Sequence, residues 1–87
     1  MRITSLLWDD DTVEHLAQHG VSPEEAEQAC RIRPYTLRTR GGRYLVLGHT
    51  DAGRYLTVIV APLGGGQAKI ITAREMTLLE RRRYEGR

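Results

Sequence analysis

The sequence contains no phenylalanine, a single cysteine, and no apolar run approaching the length of a membrane-spanning helix. Without phenylalanine, the core has to be assembled from Leu, Val, Ile and Ala, which suits a thin aliphatic layer between a sheet and a few helices. Lone Cys30 excludes an internal disulfide, and the three histidines with that cysteine lack the spacing of a zinc site. After Met1, the residues Arg2, Thr4, Ser5 and the acidic run from Asp9 interrupt the apolar stretch, so the N-terminus does not read as a secretory leader. The expectation is a reduced, cytoplasmic setting without membrane attachment. Gly64-Gly65-Gly66 has no following Lys-Ser/Thr and is no phosphate-binding loop, and no serine or cysteine triad is visible. No cofactor is expected.

What is present fits one small globular unit over residues 1–87. Hydrophobic residues make up 40% and charged residues 28%, a balance that argues against disorder. The net charge of +2 hides a division. From Trp8 to Cys30 there are seven acidic residues and no Lys or Arg, while from Arg31 onward twelve basic residues face four acidic ones. A basic half of this kind fits either an anionic partner such as RNA or a solvated basic surface.

Local signals give an order β-α-α-β-β-β-β-α. A strand over 3–8 runs into Asp9-Asp10-Asp11, which cap a first helix reaching about Gln18 and complement its dipole. Capping explains these acids more economically than a Mg²⁺ site. Gly20 stops the helix. Ser22-Pro23-Glu24-Glu25 is a capping box with proline at the first helical position, opening a second helix that ends before Pro34. Strands follow over 35–39, 43–49, 54–60 and 68–73, with Arg40-Gly41-Gly42 and Thr50-Asp51-Ala52-Gly53 as turns and 62–66 as a flexible loop. Thr77 and Glu80 form a second capping box for a helix to Tyr84. The expected fold is α+β: an antiparallel sheet of four or five strands with helices mainly on one face.

Pairing His49 with Arg54 across the second turn puts Arg43, Leu45, Leu47, Leu56, Val58 and Val60 on one face, which should lie against the helices. The other face would carry Tyr44, Val46, Gly48, Tyr55, Thr57 and Ile59. A three-residue first turn adds Arg38 and Arg40 to it. Tyrosines and arginines together can stack on unpaired bases and grip phosphates, although they can equally well cover a sheet or an oligomer interface.

Several segments resemble one family. Trp8-Asp9, His19-Gly20-Val21 with Ser22-Pro23-Glu24-Glu25-Ala26, Gly53-Arg54-Tyr55-Leu56, Ile71-Thr72-Ala73-Arg74 and Glu80-Arg81-Arg82-Arg83-Tyr84 succeed one another as in the BrnT-like toxins. Thr12-Val13 and Gln18 stand where members typically carry basic residues, and the segment between the second helix and the central hairpin is compressed, as in a divergent branch. The resemblance implies a RelE-like fold and a bacterial type II toxin–antitoxin toxin. It further implies a metal-independent ribonuclease or translation inhibitor acting on RNA or ribosome-bound mRNA. The partner it implies is an antitoxin, typically of the ribbon-helix-helix class. The alternative is a non-catalytic RNA-binding or protein-partner-binding module that retains the fold. The oligomeric state stays open.

Metal-independent cleavage of RNA needs a base for the 2′-hydroxyl, an acid for the leaving oxygen and a cation for the phosphorane. The catalytic candidates are Arg74 and Arg54 for the phosphate, matched by the resemblance, with His49 as a base and Tyr84 as a proton donor or stacking group. Histidine ordinarily titrates near neutrality. His19 matches the resemblance too, but its place before Gly20 points to a structural role at the helix end. RNA-binding candidates are Arg38, Arg40, Tyr44, Tyr55, Arg81 and Arg82. No metal ligands are expected.

Overall fold

The computed structural model describes residues 2–86. Its elements are β1 (Ser5–Leu7), α1 (Asp10–Gln18), α2 (Pro23–Arg31), β2 (Tyr35–Arg38), β3 (Tyr44–His49), β4 (Tyr55–Gly64), β5 (Gln67–Glu75) and α3 (Leu78–Glu85). The order is the one expected. The five strands form one sheet in the order β1-β5-β4-β3-β2, antiparallel except for the parallel pair β1–β5. The α1 and α2 crossover separates β1 from the rest of the chain, and this is why β1 returns to the far edge.

The caps form as expected. Asp9 accepts hydrogen bonds from the Thr12 amide and hydroxyl, and both capping boxes, Ser22/Glu25 and Thr77/Glu80, close reciprocally. The loop expected over 62–66 is shorter than that. β4 continues to Gly64, and Gly65 and Gly66 make the turn with positive φ. Pro62 is tolerated because β4 extends there beyond the end of β3 and needs only one ladder.

The central hairpin corrects the expected register. His49 pairs with Tyr55, not Arg54, and Thr50 closes a three-residue turn in which Gly53 takes φ 84°. A glycine in the left-handed region is what that turn class requires. The one-residue shift exchanges the faces of β3. Val46, Gly48 and Tyr44 now lie beside Leu56, Val58 and Val60 against α1 and α2. Leu45, Leu47 and His49 lie beside Ile59, Thr57 and Tyr55 on the other face. The expected burial of Leu47, Leu56 and Val58 holds, but Leu47 reaches it on the opposite face and Leu45 is only half-buried.

The main core is aliphatic, with Leu16, Ala26, Val46, Leu56, Val58, Val60, Ala68, Ile70 and Ala73 fully excluded from solvent. α1 and α2 cover this face, while α3 covers part of the other, over Leu47 and Thr57. A bulge in β5 decides where Arg74 points. Ile59 pairs with Thr72 but Val60 with Ile70, so Ile71 is extra. Without it, strand alternation would send Arg74 to the same face as Ile70. With it, Ala73 fills the core and Arg74 points to the α3 face.

α2 lies closest to the sheet at Gly48. A Cβ there would stand 1.8 Å from the carbonyl oxygen of Ala29, a backbone atom that moves only if the helix moves. Gly48→Ala should therefore cost about 2 kcal/mol or more in urea denaturation, at the upper side of overpacking effects. An unchanged midpoint would show that α2 sits less tightly on β3.

Candidate functional site

The α3 face gathers the polar side chains. Its hub is Glu80, whose carboxylate takes four donors. Arg74 binds it through two nitrogens at 2.7 and 2.9 Å, the Thr57 hydroxyl at 2.9 Å and the Thr77 amide at 2.9 Å. Three of these partners come from β4, β5 and the cap, so Glu80 fastens the start of α3 to the sheet. The Arg74 guanidinium, followed by the cap and Thr57 bonds, holds the Glu80 carboxyl at about 2, far below its ordinary value of 4.5.

Arg81 follows Glu80 directly on α3, and Tyr84 lies about one turn beyond it. The Arg81 guanidinium stacks 4.1 Å from the centre of the Tyr55 ring. Tyr84 is buried, donates its hydroxyl to the Arg33 carbonyl at 3.0 Å and meets Tyr55 edge-on at 5.9 Å. His49 completes the cluster, with ring centres 6.3 Å from both Tyr55 and Tyr84. His49 Nδ1 is buried and finds no hydrogen-bond partner among the described residues. His49, Tyr55 and Tyr84, with Arg33 and Glu85, line an open cleft of about 270 Å³, and Arg81 stands outside it on the Tyr55 ring. Arg33 holds a left-handed φ of 44°, unusual for a residue that is not glycine, immediately before Pro34. The strained residue therefore presents its carbonyl to Tyr84 at the wall of the cleft.

Of the expected catalytic residues, His49 and Tyr84 come together here, and two of the expected RNA-binding residues, Tyr55 and Arg81, join them. Arg74 stands at the base of the same helix, engaged with Glu80. Arg54 faces the other layer. Its Nη1 bonds the Gly20 carbonyl at 2.6 Å and the Glu25 carboxylate at 3.1 Å, and its Nε reaches Glu75 at 3.3 Å. It ties the α1–α2 turn to β4 and β5. Tyr44 and Arg38 pair across β2 and β3 on the α1–α2 face, and exposed Arg40 sits in the turn beyond them. The expected common surface of Tyr44 and Tyr55 does not form, because the three-residue turn at Gly53 puts them on opposite faces. Arg82 is exposed on α3.

Sequence reasoning did not single out Arg33, Glu85 or Glu80 as a hub. Glu80 had a signal: an arginine six residues earlier on a strand end, in front of a capping box. Among the described residues no group of three or more His, Cys, Asp or Glu lies together as metal ligands do, and no helix is long and apolar enough to cross a membrane. Cys30 is buried, and burial pushes its thiol up to about 12, so it is no nucleophile.

Comparison with known proteins bears on the family and the fold. A family model described as "Ribonuclease toxin, BrnT, of type II toxin-antitoxin system" matches residues 8–80. A search of curated protein sequences gave no match. Among solved structures, the chain is similar to the 1.1 Å crystal structure of the Brucella abortus ribonuclease toxin BrnT. The TM-score is 0.69 and the identity 20%, over 84% of this chain and 96% of that one, a likeness of fold.

The Glu80 hub sets a pH dependence. Its carboxyl lies lower in the folded chain than its ordinary 4.5, so the stability it contributes is complete above about pH 4.5 and is lost as pH falls toward 2. Glu80→Gln should lower stability at pH 7 by roughly 2–3 kcal/mol, and the gap from wild type should close as pH approaches 2. Denaturant titrations from pH 7 to 2 measure this. A gap that stays constant with pH would mean that the ionised carboxylate contributes little.

Proposed function

Because the chain belongs to the BrnT family of ribonuclease toxins of type II toxin–antitoxin systems, with RNA as target and an antitoxin as partner, we propose that the His49 cleft is its ribonuclease site and that it works without metal. The observation that carries this reading is the convergence of His49, Tyr55 and Tyr84 on one open cleft, with the Arg81 guanidinium stacked on the Tyr55 ring at its border. An imidazole, aromatic walls and an adjoining guanidinium are together there.

The reaction is attack of a 2′-hydroxyl on the adjacent phosphate. The bond from O2′ to phosphorus forms, the bond from phosphorus to O5′ breaks, and the products are a 2′,3′-cyclic phosphate and a 5′-hydroxyl. His49 takes the 2′-hydroxyl proton. Its ring is held between two tyrosines, and a buried Nδ1 without a competing partner leaves the imidazole free of a fixed ion pair. Arg81, keeping its place over the Tyr55 ring, turns an N–H edge to the phosphate as charge gathers on the phosphorane, a role suited to a guanidinium that stays charged at any working pH. Tyr55 delivers the proton to O5′. Tyr84, whose own proton is engaged with Arg33, holds the wall. Arg74 acts through Glu80 as a positioning residue: its two forward nitrogens already grip a carboxylate, and α3 carries Arg81 and Tyr84.

The basic half of the sequence supports approach of a polyanion, and the finer expectation that ribosome-bound mRNA is the substrate, under a ribbon-helix-helix antitoxin, comes from the same family logic. The test is cleavage of single-stranded RNA by the purified protein. His49→Ala should reduce the rate by about 10² or more, and Arg81→Ala by about 10² to 10³. Cleavage should persist in EDTA. Loss of activity in EDTA would refute the metal-free mechanism, and undiminished cutting by His49→Ala would move the site elsewhere.

A further inference from the structure

Tyr55 is the wall of two cavities. On one side lies the His49 cleft. On the other is a second open cavity of about 350 Å³, lined by Gly53, Arg54, Tyr55, Glu75, Met76 and Arg81. Arg81 and Tyr55 are stacked on each other, so their planar groups line this second space together. Flat cationic and aromatic groups are what an unpaired base stacks on.

Glu75 distinguishes this cavity. A carboxylate on the path of RNA repels phosphate, so its presence beside the site calls for a partner other than the backbone. Arg54 Nε fixes one oxygen, Oε2, at 3.3 Å and so orients the group, while Oε1 has no protein donor among the described residues. The side chain is 68% exposed and reachable. An ionised carboxylate only accepts hydrogen bonds. Among the four RNA bases, guanine alone turns two adjacent donors, N1–H and the 2-amino group, toward one carboxylate. Adenine and cytosine offer one amino group beside an acceptor nitrogen, and uracil one imide N–H between two carbonyls.

We propose that this cavity is a guanine subsite, in which the base of a nucleotide flanking the scissile phosphate stacks on Arg81 and Tyr55 and is read on its Watson–Crick edge by Glu75. The inference rests on the ribonuclease reading of the His49 cleft. Tyr55 couples the two: it faces the reacting phosphate on one side and the recognised base on the other. Sequence choice thus comes from the strand end just beyond the cluster.

The experiment is cleavage of a randomised single-stranded RNA pool, with the base composition around each cut read by sequencing the new ends. Wild type should favour G over each other base by about tenfold or more at one fixed position beside the cut, the scale of a bidentate base contact. Glu75→Gln, which replaces one acceptor by a donor, should bring that ratio to within about threefold. Glu75→Ala, which leaves no acceptor at all, should do the same, and circular dichroism should show both variants folded because the side chain is exposed. A ratio is independent of the total rate, so slower cutting by a variant leaves the readout intact. Cutting by wild type with no preference for G, or a preference that survives both substitutions, would overturn the subsite while leaving the ribonuclease reading in place. No cutting of the pool by wild type would defeat both.

Discussion

The α3 face depends on one carboxylate. Glu80 closes the capping box of α3, receives Arg74 from β5 and accepts from Thr57 of β4, so a single side chain fixes where the helix starts, which strands it sits on and how it is rotated. α3 has little apolar surface to do this by burial. Leu78 and Leu79 point outward at 66% and 75% exposure, and Tyr84 is its one buried residue. A helix of eight residues would fray without tertiary fastening, and this one carries two members of the candidate site. The ion pair is half-screened from water, a geometry in which a bidentate contact contributes more than a surface pair and still avoids the desolvation cost of a deep one.

The same device recurs on the other side of the sheet. Glu25 closes the capping box of α2 and also accepts from Arg54, a strand-end arginine. In both cases the glutamate at the third helical position does two things: it satisfies backbone amides at a helix start, and it anchors that start to the sheet through an arginine. This gives a physical reason for Gly-Arg-x-Leu and Ile-Thr-Ala-Arg to appear as paired features with the capping boxes. Their arginines hold helices in place, and the helix that Arg74 fastens through Glu80 carries Tyr84 into the His49 cleft.

The sequence made the elements legible because caps and glycines are local. Ser22, Thr77 and Asp9 each announce a helix start by chemistry confined to three or four residues. Two single residues decide which side chains reach the α3 face, and reading by residue went astray at the first. Gly53 belongs to a three-residue turn after Thr50, which exchanges the faces of β3, moving Tyr44 into the layer under α1 and α2 and His49 onto the α3 face. Ile71 bulges and turns Arg74 from the core side to α3. A two-residue side-chain period converts each such step into a reversal, and neither composition nor alternation records which residue will be extra. The candidate site suffers most, because His49 lies on the strand whose faces are exchanged. His49 and Tyr84 were nominated by their chemistry, but the grouping with Tyr55, Arg81 and Arg33 requires the register.

Those shifts also account for how the molecule separates structure from recognition. Were His49 paired as alternation first indicates, it would face α2, where Gly48 now allows the helix to lie almost on the sheet backbone. A histidine on that side would have no room, and the helix would ride higher over a less tightly closed core. Placing the small residue under α2 and the histidine on the α3 side lets the first face be closed by aliphatic packing alone. The second is covered only partly, by one short helix pinned at its beginning. Its far end, with Arg81, Tyr84 and the neighbouring Tyr55, is held by rings and a carbonyl contact instead of a core. A surface secured at one end and open at the other can admit a flexible single strand without disturbing the packing that keeps the sheet together.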